Sequence, residues 1–96
     1  MSAIQVFNAD EIASFRKAGI ILRDCLAMLP AHVKAGVTTK QLDTIAETFI
    51  RDHGGIPAFK GYHGFTGTLC TSVNEECVHG IPGPRMLEDG DIVSLD

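Results

Sequence analysis

With 96 residues the chain has room for one domain at most and for only a modest core. A hydrophobic share of 45% excludes wholesale disorder, and a net charge of −4 gives no electrostatic reason to bind nucleic acid. No apolar run is long enough to span a bilayer, and Met1-Ser2-Ala3-Ile4-Gln5-Val6 lacks the basic stretch of a secretory signal. The odd cysteine count (Cys25, Cys70, Cys77) favours a reducing compartment, so the expectation is a soluble, cytoplasmic chain of mixed α and β structure.

In chain order, Asn8 is a good helix N-cap and Glu11 stands three residues on, where a capping box needs it. Ile12, Phe15, Leu22, Leu26 and Leu29 recur at helical steps and form one apolar stripe, while Arg16, Lys17, Arg23 and Asp24 fall mainly off it. Gly19 interrupts the stripe at about 1 kcal/mol relative to alanine, which suggests close packing against another element. Pro30 should end or kink this helix. After the connector Lys34-Ala35-Gly36-Val37, Thr38 caps a second helix with Gln41 as its reciprocal partner. Leu42, Ile45, Ala46, Phe49 and Ile50 make the buried face, and Gly54-Gly55 ends the helix. Asp43, Glu47, Arg51 and Asp52 read as a water-facing side, so both helices read as scaffold.

The rest of the chain is different. A glycine-punctuated aromatic loop, Gly61-Tyr62-His63-Gly64-Phe65-Thr66-Gly67, leads into a β-like run from Thr68 to Val73. In that run Leu69, Thr71 and Val73 share one face and Thr68, Cys70 and Ser72 the other. Asn74-Glu75-Glu76 reads as a turn, Cys77-Val78-His79 as a short extended piece, and Gly80-Ile81-Pro82-Gly83-Pro84 as irregular. Asp89-Gly90 makes a tight turn before a last strand, Asp91 to Asp96, with Val93 and Leu95 on one face and Ile92, Ser94 and Asp96 on the other. A carboxylate ending an apolar strand needs a partner or a cation if it is buried. The spacing of Gly61, Gly64 and Gly67 is no phosphate loop, because no amphipathic helix follows it.

Gly61-Tyr62-His63-Gly64-Phe65, Ser72-Val73-Asn74-Glu75, Val78-His79-Gly80-Ile81-Pro82 and Asp89-Gly90-Asp91-Ile92-Val93-Ser94-Leu95-Asp96, in that order, resemble type I methionine aminopeptidases. The resemblance runs from about Asp10 onward. It implies that residues 1–96 are the N-terminal part of a single catalytic domain. The implied fold is an α+β, pita-bread architecture with two helices on one side of a curved, mainly antiparallel sheet. The implied activity is metal-dependent removal of the initiator methionine from nascent polypeptides whose second residue is small. That work is cytoplasmic and ribosome-proximal, with no direct role for nucleic acid or membrane.

Residue by residue, a lone histidine near a strand end is more often structural than functional, but His79 matches the family histidine that hydrogen-bonds the scissile amide. Asp96 matches the first metal-binding aspartate. The resemblance implies that another aspartate, a histidine and two glutamates lie beyond it and complete a site for two divalent ions (cobalt, manganese, iron, zinc or nickel). Such ions activate the attacking water, and one carboxylate alone binds them too weakly, so no tight metal binding is expected of these 96 residues. Phe59, Tyr62, His63, Phe65 and Cys70 fall where the family builds its pocket for the methionine side chain. Phe59 and Phe65 replace a cysteine and a tyrosine of the better-known bacterial members.

Two other readings start from the same residues. His63, Cys70, Cys77 and His79 supply four nitrogen and sulfur donors, enough for a structural zinc module, although the spacing fits no finger or knuckle. Alternatively the chain is a non-catalytic remnant that binds a partner. Whether the chain is a piece of the enzyme, inactive alone, or such a remnant, Val93 and Leu95 lie on a strand without a further neighbour, which predicts association or aggregation.

Overall fold

Both helix starts obey their local sequence. In the computed structural model, which describes residues 4–76 and 79–96, α1 spans Ala9–Met28 and α2 spans Thr39–Asp52. Asn8 Oδ1 accepts from the Glu11 N–H at 2.8 Å, and Glu11 Oε1 accepts from the Asn8 N–H at 3.1 Å. Thr38 and Gln41 repeat the reciprocal pair at 3.1 and 2.8 Å, so each helix loses two orphan donors to its own first turn. Pro30 does what its ring requires: α1 stops at Met28 and tightens into a 3₁₀ turn, Leu29–His32.

The two helices differ in what covers them. Leu42 and Ala46 of α2 are fully buried, with Ile45, Phe49 and Ile50 packed at the margin of the same core. On α1, by contrast, the expected stripe is largely uncovered. Ile12, Phe15, Leu22 and Leu26 are exposed, and only Cys25 and the adjoining Leu29 are buried. Cys25 and Leu29 carry the end of α1 into the core it shares with Leu42 and Ala46 of α2, while nearer its start Phe7 packs edge to face on Phe15. Gly19 is consistent with that bareness, because a Cβ there would meet nothing within 4 Å; the close packing expected of it does not occur.

Two short antiparallel strands complete the α+β arrangement: β1, Thr71–Val73, and β2, Val93–Leu95, in the register Thr71↔Leu95, Ser72↔Ser94, Val73↔Val93. Mutual bonds between Cys70 and Asp96 extend the pairing by one residue, N–H to O at 2.8 and 3.1 Å. The run from Thr68 to Val73 is buried on both faces, so its alternation separates no inside from an outside. β2 shows the expected alternation, with Val93 and Leu95 half-buried and Ile92, Ser94 and Asp96 exposed. Leu69 and Val73 join Cys25, Leu29, Leu42, Ala46 and Leu87 in one core, each buried leucine contributing about 1.5–3 kcal/mol.

Candidate functional site

β1 is the hub from which the site is laid out, because its two edges face different partners. The N–H groups of Cys70 and Asn74 point toward β2 and bond Asp96 O and Ile92 O, both at 2.8 Å. The Thr71 N–H points the other way and bonds Gly80 O at 2.8 Å. Gly80 also donates to Ser72 Oγ at 3.0 Å. A Cβ on Gly80 would collide with the Thr71 carbonyl oxygen and come within 2.9 Å of Ser72 Cα, so the approach admits only glycine.

This contact holds His79 from behind. Its backbone adopts φ 57°, a left-handed conformation uncommon for histidine, and its residue is exposed. From the other side, the segment after Pro82 straps across the start of α2. Thr39 N–H bonds Arg85 O and Lys40 N–H bonds Gly83 O, both at 3.0 Å, while Thr39 Oγ1 exchanges bonds with Gly83 at 2.9 and 3.1 Å. The strap therefore satisfies free N–H groups of α2 and anchors the chain within four residues of His79. The extended piece expected over Cys77 and Val78 lies outside the described residues.

Phe59 and Phe65 meet edge to face with ring centroids 6.2 Å apart, and Tyr62 and His63 do so at 4.2 Å. The loop closes on itself through Gly61 N–H to Phe65 O at 2.7 Å, and Gly61, His63 and Gly64 all have positive φ. Tyr62 and His63 face water and Phe59 and Phe65 are half-buried. Phe59, Thr68, Leu69 and Asp96 line one cleft of about 460 Å³ with Leu22, Cys25 and Leu26 of α1. Cys70 is buried, and desolvation followed by the nearby Asp96 charge pushes its thiol above the usual range. Phe59, Cys70 and Asp96 thus lie around neighbouring positions, with His79 on a segment bonded to the opposite edge of β1.

Two acidic residues of α2 correct the expected water-facing side. Asp43 is 1% exposed, and its Oδ1 accepts the N–H groups of Thr68 at 2.6 Å and Leu69 at 2.7 Å. Both donors just ahead of β1 are thereby satisfied by a helix side chain and not by a neighbouring strand. Glu47, one turn on, accepts from Lys60 Nζ at 2.7 Å and Thr68 Oγ1 at 3.1 Å through Oε1, and from Arg51 Nε at 2.9 Å through Oε2. Lys60 and then Arg51 hold its carboxyl down at about 2. Sequence periodicity places Asp43 and Glu47 on one helical face, but the strand termini that need acceptors are visible only in three dimensions.

Asp96 offers an exposed carboxylate, the hard oxygen donor that a divalent cation takes, and so fits as one ligand of a metal site. No group of three or more His, Cys, Asp or Glu side chains able to hold a metal ion occurs among the described residues. His63, Cys70 and His79 accordingly form no three-donor cluster, and Cys77, the fourth donor of the zinc reading, lies outside the described residues. No helix among the described residues is long and apolar enough to cross a membrane.

Residues 13–96 match the sequence model described as Metallopeptidase family M24. The chain belongs to metallopeptidase family M24. It is 56% identical over 86 residues to "Methionine aminopeptidase 1" of Bacillus subtilis, covering 90% of this chain and 35% of the relative. It is 53% identical over 89 residues to the methionine aminopeptidase of Clostridium perfringens, covering 93% and 36%. The crystal structure of methionine aminopeptidase from Rickettsia prowazekii superposes with a TM-score of 0.92 at 37% identity, covering 98% of this chain and 38% of that one. The pita-bread fold expected from the sequence is therefore the fold this M24 chain shares with its structural neighbours. The chain spans little more than a third of the length of the relatives it matches.

Proposed function

We propose that the native polypeptide carrying this sequence removes the N-terminal methionine from new polypeptides whose second residue is small, with two divalent metal ions. The reading is supported by relatives that bear the name methionine aminopeptidase, together with one geometric fact. That fact is the Cys70–Asp96 pairing, which sets the candidate metal ligand beside a candidate pocket residue and in the cleft that Phe59 also lines.

When bound, divalent metal would supply water activation and polarisation of the scissile carbonyl. Asp96 would give it one carboxylate, and the native polypeptide must supply the other ligands. The His79 side chain would donate a hydrogen bond to the scissile amide as charge develops there, a role suited to imidazole near neutral pH. A fixed position matters for such a donor, and the bonds at Gly80 and Gly83 provide one. Phe59, Tyr62, His63, Phe65 and Cys70 would receive the methionine side chain, a thioether gaining about 0.3–1.5 kcal/mol per aromatic contact. The work would take place in the cytoplasm, close to the ribosome.

The test is release of methionine from a Met-Ala-Ser peptide by the native polypeptide loaded with manganese or cobalt. His79→Ala should lower kcat about 100-fold with little change in KM. Unchanged turnover would remove His79 from the reaction, and no release by the unsubstituted protein would remove the activity itself.

A further inference from the structure

We propose that Glu47 is a positioning residue for the aromatic loop: its carboxylate ties Lys60 and Thr68, the two residues that flank residues 61–67, to one face of α2. The inference rests on reading that loop as the methionine side-chain pocket, and it adds what holds the pocket in shape. Oε1 of Glu47 takes both bonds, 2.7 Å from Lys60 Nζ and 3.1 Å from Thr68 Oγ1, so a single atom joins the two ends of the loop. Arg51, one turn on, fixes the other oxygen at 2.9 Å and orients the carboxylate.

The loop has little else to hold it. Its own bonds, Tyr62 N–H to Phe59 O and Phe65 N–H to Tyr62 O, both 2.9 Å, curl it without attaching it to the body. The outgoing end has a second anchor, because Asp43 takes the Thr68 and Leu69 N–H groups and a Cβ at Gly67 would meet Pro82 Cγ at 2.8 Å. Lys60, at the incoming end, has Glu47 as its side-chain partner among the described residues. Breaking the tie frees one end only, the end that carries Phe59 and Tyr62. His79 stands on a separate segment anchored at Gly80 and Gly83 and should keep its place.

The expected signature is therefore a split between binding and turnover. In the native, metal-loaded polypeptide, Lys60→Met should raise KM for methionyl peptides about five- to tenfold while kcat changes less than about twofold. Lys60→Arg keeps a donor within reach of Glu47 and should restore most of the loss, whereas Glu47→Ala, which removes the acceptor, should behave like Lys60→Met. Lys60 is 43% exposed in its side chain, so these variants do not threaten the core. Amide hydrogen exchange gives a readout independent of activity: residues 59–66 should exchange faster in Lys60→Met, with α1 and α2 unchanged. Unchanged exchange in Lys60→Met, an unchanged KM, or a Lys60→Arg variant no better than Lys60→Met would each overturn the proposal. Faster loop exchange in a protein that releases no methionine even unsubstituted would retain the tie and refute the reaction.

Discussion

α1 and α2 begin with the same device and end in opposite situations. Each opens with a reciprocal capping box, and each carries apolar residues at helical spacing. Yet α2 is covered by core on one side and fastened by Asp43 and Glu47 on another, whereas α1 shows most of its apolar stripe to water. Capping is a local matter of four residues, while burial depends on what the chain later lays over the helix. Helix existence can therefore be read from the sequence at both places, and helix burden cannot. α2 works as the frame of the site: its first turn receives the strap that follows His79, and its second and third turns hold Thr68 and Leu69, just ahead of β1, and the aromatic loop.

The sharpest way to break the comparison is to remove the Asp43 carboxylate. Asp43→Ala leaves two buried N–H groups, those of Thr68 and Leu69, without acceptors and should destabilise the fold by about 3 kcal/mol. Asp43→Asn keeps one acceptor oxygen and should cost less. Urea midpoints of the two variants against the parent chain check this, and a midpoint unchanged in Asp43→Ala would return the residue to the water-facing side where periodicity put it.

A smaller effect concerns acid. The carboxyl of Glu47 titrates near 2 in the folded chain against 4.5 ordinarily, because Lys60 and Arg51 favour its charged form. A lowered folded value means that the contribution is complete above about pH 4.5 and is lost as pH falls toward about 2. The groups facing it are Lys60 from the loop, Arg51 from its own helix and the Thr68 hydroxyl. Denaturation followed across that interval should show a falling limb, and Lys60→Met should make it shallower. Equal slopes in parent and variant would show that Lys60 is not what holds the carboxyl down.

What could be read in advance divides along the same line. Local signals held at both caps, the stop at Pro30, the turn at Asp89-Gly90 and the alternation in β2, where the determining residues are neighbours. The order and spacing of residues from Gly61 to Asp96 also carried the fold, since the same stretch resembles an architecture later matched by solved structures. What escaped were relations between residues far apart in the chain. Asp43 meets Thr68 and Leu69 some 25 residues on, and Glu47 meets Lys60 and Thr68, so a helical wheel drawn on α2 alone shows only polar residues that need no explanation. Gly80 belongs to the same class, its need for glycine arising from β1 and not from its neighbours.

A cap experiment sharpens the comparison further. Asn8→Ala and Thr38→Ala remove equivalent bonds, each worth about 1 kcal/mol. Their consequences should still differ, because the Thr38 turn is also where Thr39 and Lys40 receive the strap from Arg85 and Gly83. Hydrogen exchange should show Thr38→Ala loosening residues 83–87 together with α2, and Asn8→Ala loosening only the first turns of α1. Equal spread from both caps would mean that α2 does not frame the site.

The smallest expected change in stability lies on α1. Phe15 is 59% exposed and stacks edge to face on Phe7 with centroids 4.6 Å apart, so Phe15→Ser should shift stability by no more than about 0.5 kcal/mol. An apolar face this large, with Ile12, Leu22 and Leu26 beside it, should nonetheless promote association, as should the outer edge of β2. Sedimentation separates the two contributions. If the helix face drives association, Phe15→Ser lowers the weight-average mass of the 96-residue chain while a lysine at Ser94, on the exposed side of β2, leaves it unchanged; if the strand edge drives it, the order reverses. A monodisperse monomer for the parent chain would contradict both, and a stability loss from Phe15→Ser well above the expected value would show that the face is covered in solution by a second copy.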